Sequence, residues 1–418
     1  MRLKITYGAK TETVSVLEQN LLAILQPSHF AQPFCDTSLE LERAAQAAIR
    51  FLAGSNRVLV LLNDYTRPTP NQEILFHLEP ELRNYETKYL ICLGTHRPAK
   101  ENELQSIIGA QIYHRIRDRI IQHDYRDPSR HFIFGKTGFG TTVELNRELL
   151  WAERLITINS IEPHYFAGYT GGRKCFVPGS ASQKTITQNH NLLLHPASAP
   201  FSLKNNPVHE DMTEAAKMVS VPVFSIQMVL NYRHQLVSVH YGDLFSSFEK
   251  GCEIAFQVYA CPIQQQADII LSVLQPPYSI NFYQSQRAVE FALKALKPNG
   301  IQITVSCCTD GIGNDDFVQV LQSCKEPAEL LVTGPPATLG WHKAARLAKI
   351  MQRAQLYTVM PGVNDDIIKS VFMHPFHSIQ SALDSAFAQL GSNATLYIIP
   401  DAGALVPVIQ PGSDLNPI

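Results

Sequence analysis

Hydrophobic and polar positions along the chain switch repeatedly between a two-residue period and a helical one. Leu3, Ile5 and Tyr7 alternate with polar neighbours, turn at Gly8-Ala-Lys10 and resume at Thr13-Val-Ser-Val16, which predicts a β-hairpin. Short, nearly unbroken apolar runs follow at 57–62, 88–93 and 155–159, the pattern of strands covered on both faces. Helical spacing fills the intervals: 72–82, then 100–108 stopping at Gly109, then 143–153. A second series begins with a strand at 267–273 and a helix at 282–297, closed by the turn Lys297-Pro-Asn-Gly300. It continues with strands at 301–305, 330–333 and 355–360, helices at 337–354 and 378–390, and a last strand at 395–399. Strands alternating with helices predict α/β architecture, two domains each built on a mostly parallel sheet with covering helices. A boundary is expected near residue 265.

Composition narrows the partners. The 418 residues suffice for two or three domains. Lys and Arg number 35 against 37 Asp and Glu, a formal charge of −2 that disfavours nucleic acid or an anionic membrane as partner. No apolar run reaches the roughly 18 residues of a membrane helix, and no secretory leader is evident. The eight cysteines form no Cys-x-x-Cys pair, so reduced thiols and a cytoplasmic location are expected.

Ligands of open α/β sheets bind where strands end at their carboxyl edge, and three unusual loops follow the first three runs. Asn63-Asp-Tyr-Thr-Arg-Pro-Thr-Pro70 sets Arg67 on a stiff support, either a rigid turn with a surface arginine or a carboxylate clamp. Gly94-Thr-His-Arg-Pro98 carries His96, a structural residue or a general acid–base. Glu162-Pro-His-Tyr-Phe-Ala-Gly-Tyr-Thr-Gly-Gly-Arg-Lys174 holds three glycines that permit close backbone approach to a bound group. Arg173 and Lys174 stand where a phosphate could lie, and a helix capped by Ser180 or Ser182 would carry Lys184 and His190.

Standard motifs fail. Gly135-Lys-Thr137 resembles the end of a P-loop, but Arg130 stands where its first glycine belongs. Gly138-Phe-Gly140 and Gly311-Ile-Gly313 lack the third glycine of a dinucleotide fingerprint, and His374-Pro-Phe-His377 is read as a loop. In the second half Gln284 and Arg287 are three apart on a helix, either solvated or closing over a ligand.

Taken together, Gly94-Thr-His-Arg-Pro98, Ala167-Gly-Tyr-Thr-Gly-Gly-Arg-Lys174, His164, Asn189-His190 and Tyr283-Gln284 resemble the nickel-pincer lactate racemase family, in order and spacing along nearly the whole chain. The resemblance implies a two-domain α/β enzyme with its active site in the inter-domain cleft and a last strand returning to the first domain. The domains would then be 1–265 with 395–418, for cofactor and catalysis, and 266–394, closing the cleft. It implies a nickel-pincer nucleotide, a nicotinic-acid-derived pyridinium mononucleotide with thioacid and thioamide arms gripping one nickel. Lys174 would be its covalent attachment and His190 the protein ligand to nickel. Asp64, Thr66, Gly171, Gly172, Arg173 and Tyr283 would contact the cofactor. His96 and His164 fall on the catalytic pair, and Arg67, Gln284 and Arg287 on the substrate.

The implied reaction is racemisation or epimerisation of a 2-hydroxy acid, lactate-like or larger, by proton-coupled hydride transfer. The hydrogen on the α-carbon is far too weakly acidic for an unaided histidine, whereas a base can take the hydroxyl proton while a cofactor carbon accepts the hydride. Cofactor-maturation enzymes are implied as partners by the family alone. Arg287 replaces the lysine of lactate-active members, which leaves room for another 2-hydroxy acid, for a non-catalytic binding protein, or for a one-way dehydrogenase or dehydratase.

Overall fold

A computed structural model describes residues 1–27, 36–276, 278–332 and 340–410. The chain divides into two compact units, His29–Val258 and Met1–Ser28 with Tyr259–Ile418. Each is an α/β structure on a six-stranded sheet. This division differs from the expected one. The strand Leu396–Ile399 does not return to the unit of the first loops, because it pairs in parallel with Ala267–Val273 and with Leu21–Ile24. The early hairpin, Arg2–Tyr7 with Lys10–Ser15, also belongs there: Ile5, Tyr7, Val14 and Val16 pack on Ile269, Leu271 and Ile303.

In unit His29–Val258 the strand order is Leu236–Gly242, Val223–Leu230, Arg154–Ile161, Arg57–Asn63, Glu86–Cys92, Ile120–Gln122. All pairings are parallel except that of Val223–Leu230 with Leu236–Gly242. Val58, Val60 and Leu62, with Ile156 and Ile158, pack against Ala44 and Ala48 of helix Thr37–Phe51 and Leu75, Leu78 and Leu82 of helix Asn71–Leu82. Each such side chain contributes on the order of 1.5 to 3 kcal/mol when fully buried. From the central strand Arg57–Asn63 the chain first winds one way, through Glu86–Cys92, and later the other way, from Arg154–Ile161. That reversal makes a topological switch point, and the loops after Asn63 and Ile161 flank it.

The second unit repeats the plan with six parallel strands in the order His374–Pro375, Ala354–Val359, Leu296–Val305, Ala267–Val273, Leu396–Ile399, Leu21–Ile24. Its own switch point lies between Ala267–Val273 and Leu396–Ile399.

Three local expectations differ. The stretch 143–153 begins as a strand, Thr142–Asn146, and only Glu148–Trp151 is helical. Val143 and Leu145 are both fully buried, two residues apart, and pair across to His131–Lys136. The helix from Phe282 ends at Ala292, and Lys297-Pro-Asn-Gly300 lies inside the strand Leu296–Val305. There Asn299 takes a φ of 63° and the pairing register shifts between Ala267 and Ile269, an irregularity that absorbs the turn-forming residues. Glu329–Val332 is helical, not extended. Thr333 and the start of the helix expected at 337 lie outside the described residues; helix Trp341–Met351 covers most of the rest.

Candidate active site

The three loops expected to carry chemistry all belong to His29–Val258 and converge on its switch point. A buried polar ladder fastens two of them, those after Asn63 and Ile161, to the sheet. The amide of Gly172 donates to Gln227 Oε1 (3.1 Å), Gln227 Nε2 donates to Asn159 Oδ1 (3.5 Å), and Asn159 Nδ2 donates to Asn63 Oδ1 (2.7 Å). Asn63 Nδ2 then donates to Thr69 Oγ1 (2.8 Å), which shares a hydrogen bond with Ser160 Oγ (2.8 Å). Gln227 faces Asn159 in the parallel register, so the ladder crosses three adjacent strands. In the low dielectric of the interior such a chain is costly to break.

His96 lies in the loop after Glu86–Cys92, with its Nδ1 against Asp64 Oδ2. Asp64 was expected on the cofactor. It is only 3% exposed, and its other carboxylate oxygen accepts from the Thr66 amide (3.0 Å) and hydroxyl (2.6 Å). Asp64 and Thr66 thus form a support for His96 and for their own turn. Burial alone would raise the Asp64 carboxyl, but His96 and, less strongly, Arg67 and Thr66 outweigh it and hold its pKa below the usual range. A carboxylate accepts only, so it fixes the hydrogen on His96 Nδ1 and leaves the lone pair on Nε2 when the ring is neutral.

His164 sits in the tight turn Pro163–His164 to Gly168–Tyr169, where the amide of Ala167 donates to its Nδ1 (3.3 Å). This neutral ring therefore carries its hydrogen on Nε2, the opposite tautomer to His96.

Phe166 is the residue that the sequence reading missed. Its ring meets His164 edge-on (centroids 4.5 Å apart) and His190 (5.0 Å), and the Lys174 Nζ stands 5.7 Å from its centre. Three expected site residues thus share one neighbour. His190 ends the helix Gln183–His190, which Ser182 caps as expected. Burial first, and then the positive charges of Arg67 and Arg173, push the Lys174 amine well below the usual range, with Glu162 opposing them. Arg67 thereby acts on both Asp64 and Lys174.

The glycines and Arg173 have structural duties of their own. Gly171 and Gly172 have φ of 82° and 52°, and a Cβ on them would press on Gln227 and Ile161 (2.8 Å) or Phe248 (2.9 Å). Their close approach is to the protein's own strands and helix. Arg173 is 1% exposed; its guanidinium donates to the carbonyls of Ala167 (2.6 Å) and Gly171 (3.3 Å) and lies 4.4 Å over the Phe248 ring. It ties the turn together from inside, and burial lowers its pKa to about 10.

Tyr283, Gln284 and Arg287 lie on helix Phe282–Ala292 of the other unit. Arg287 is stacked on Tyr278 (4.2 Å) and Phe291 (4.7 Å) and donates to the Gly403 carbonyl (3.4 Å). Lys343 Nζ stands 3.4 Å over the Tyr283 ring and donates to the Tyr283 carbonyl (2.8 Å).

Two family profiles match this chain: the Lactate racemase N-terminal domain over residues 7–200 and the Lactate racemase C-terminal domain over 263–408. The chain belongs to the lactate racemase family. A lactate racemase of Thermoanaerobacterium thermosaccharolyticum is 28% identical over 365 residues, 84% of this chain and 85% of that protein. One from Lactiplantibacillus plantarum is 29% identical over 360 residues, covering 83% and 84%. The solved lactate racemase apoprotein from T. thermosaccharolyticum superposes with a TM-score of 0.87 at 25% identity, covering 98% of this chain and all of that one. A Thermotoga maritima protein (TM-score 0.73, 17% identity, 90% of this chain and 98% of that one) shares the fold. Membership in the lactate racemase family supports a racemase, hence an isomerase. Among the described residues no helix is long and apolar enough to cross a membrane.

Proposed function

We propose that this chain is a racemase or epimerase of a 2-hydroxy acid, lactate-like or larger, working with a nickel-pincer nucleotide joined to Lys174. The gathering of His164, Lys174 and His190 around the Phe166 ring carries the proposal. The residues fit such a group. An amine whose proton affinity is lowered by burial and two arginines is a competent nucleophile for a covalent tether. Among the described residues no three His, Cys, Asp or Glu side chains form a metal cage, so nickel at His190 would take its other ligands from the cofactor's sulfurs and carbon, a soft set that suits it.

When bound, the cofactor supplies an electrophilic carbon that accepts a hydride and returns it. The protein handles protons and position. His96 Nε2 takes the substrate hydroxyl proton from one enantiomer while Asp64 holds the ring and stabilises its charged form. His164 serves the other enantiomer from a separate loop, once the long contact from the Ala167 amide gives way and the ring hydrogen moves to Nδ1, leaving Nε2 to accept. Arg67 supplies a planar pair of donors for the substrate carboxylate.

The test pairs intact-mass analysis of protein co-produced with the cofactor-making enzymes with chiral chromatography of a panel of 2-hydroxy acids in heavy water. The expected result is an adduct mapped to Lys174 and interconversion of at least one acid. An unmodified Lys174, or a keto acid released without interconversion, overturns the proposal.

A further inference from the structure

Behind His190 lies a fully buried carboxylate that the reaction does not use. Asp211, on helix Pro207–Lys217, is 0% exposed. Its Oδ1 accepts from the Thr137 hydroxyl (2.5 Å), and its Oδ2 accepts from the Thr141 hydroxyl (2.9 Å) and Asn189 Nδ2 (2.8 Å). Thr137 and Thr141 come from the turn whose Gly135-Lys-Thr137 resembled a P-loop; here the hydroxyls serve Asp211.

This arrangement dictates which way the Asn189 amide faces. Its NH2 end has two acceptors, Asp211 Oδ2 and the Val208 carbonyl (3.2 Å), and neither can donate in return. Turning the amide over would set oxygen against oxygen at both places, beside a buried carboxylate. Asn189 Oδ1 must then point to His190 Nδ1, 3.2 Å away. An amide oxygen carries no hydrogen, so the hydrogen of that contact sits on Nδ1, and the lone pair of the neutral ring sits on Nε2.

We infer that Asp211 and Asn189 are positioning residues that lock His190 in the tautomer whose Nε2 can ligate a metal. The metal role rests on His190 being the nickel ligand as proposed above; the tautomer lock does not. Partners of this kind fix ring orientation and ligand basicity in metal sites, and losing one typically costs about 10- to 100-fold in metal affinity.

Long-range 1H–15N correlation on 15N-histidine-labelled apoprotein reads the tautomer directly. Wild type should show His190 protonated on Nδ1 and bare on Nε2. Asp211→Asn permits the Asn189 amide to turn over, so the Nε2-protonated form should appear. The double variant Asn189→Asp with Asp211→Asn reverses the polarity of the pair and keeps an acceptor opposite Nδ1, at the cost of one oxygen–oxygen contact with the Val208 carbonyl, and should bring back the Nδ1-protonated ring, which a merely structural role would not predict. On cofactor-loaded protein, nickel measured after gel filtration should be lost about 10- to 100-fold faster in Asp211→Asn and be largely retained in the double variant. Should Asp211→Asn fail to fold, Asn189→Ala keeps both threonine bonds to Asp211 and should mix the tautomers. An Nε2-protonated His190 in wild type, or a tautomer indifferent to these variants, overturns the lock. A changed tautomer with undiminished nickel overturns the metal role while leaving the Lys174 adduct as a separate test.

Discussion

The two units wind their sheets alike, each with a switch point between neighbouring parallel strands, yet they fill those points differently. In His29–Val258 the carboxyl ends carry polar loops laced by the Gln227–Asn159–Asn63–Thr69 ladder, and imidazoles stand on that frame. In the other unit the corresponding loops close on themselves: Ala402 donates to the Val273 carbonyl (2.7 Å), Tyr278 abuts Gly403, and Arg287 is clamped by rings and a carbonyl. A shared winding gives a place for chemistry, and the polarity of the loops decides what that place can do.

The sharpest way to break this contrast is to remove the imidazoles. His96→Ala or His164→Ala should lower racemisation about 10²- to 10⁴-fold while the Lys174 adduct persists, read by chiral turnover and intact mass. Full activity in both would end the two-base scheme. Next in size, Gly172→Ala adds a Cβ at φ 52° against Phe248 and should cost about 2 to 4 kcal/mol of stability in urea unfolding.

Acid should act through the same unit. His123 is buried, its Nε2 3.0 Å from the Ala181 carbonyl and its Nδ1 3.2 Å from Asn146, and burial lowers its pKa to about 4. A depressed folded-state pKa means the unfolded chain binds the proton first. Stability is therefore full above the unfolded value near 6.5 and declines as pH falls toward 4, by roughly 3 kcal/mol for this group. His123→Gln should flatten that slope in melts between pH 7 and 4. The smallest effect belongs to the other unit: Arg287→Lys gives up a planar cation on two rings, worth about 0.5 to 1 kcal/mol per stack. It should leave the adduct intact while moving substrate preference across the acid panel.

Much of this was legible in the sequence where a signal is local. The buried strands are apolar runs, and Ser182 and Gly109 mark helix ends as capping chemistry requires. Thr142–Asn146 was not, because Val143 and Leu145 alternate as in a strand while Leu145, Leu149 and Ala152 fall at helical spacing, and only pairing with His131–Lys136 decides. Nor was the tenancy of Leu396–Ile399, which depends on strands more than a hundred residues away. Among the candidate site residues, His96, His164 and Lys174 stand out by unusual loops, whereas His190 falls on a capped helix. The bonds of Arg173 to the turn were not legible, because a cation beside glycines reads the same whether it faces a phosphate or the turn's own carbonyls. The ladder did leave a trace: Ser225 and Gln227, and Thr157 and Asn159, are polar residues two apart inside otherwise apolar strands.

Phe166 has a consequence for how this corner can change over generations. One carbon ring abuts Lys174, His190 and His164, the residues proposed as tether, metal ligand and acid–base group, so none of the three can be retuned alone. Trimming it to leucine would disturb all three functions in one step. Drift here should therefore be concerted, with replacements around the ring arriving as sets, and the position should behave as a bottleneck for any new activity this scaffold acquires.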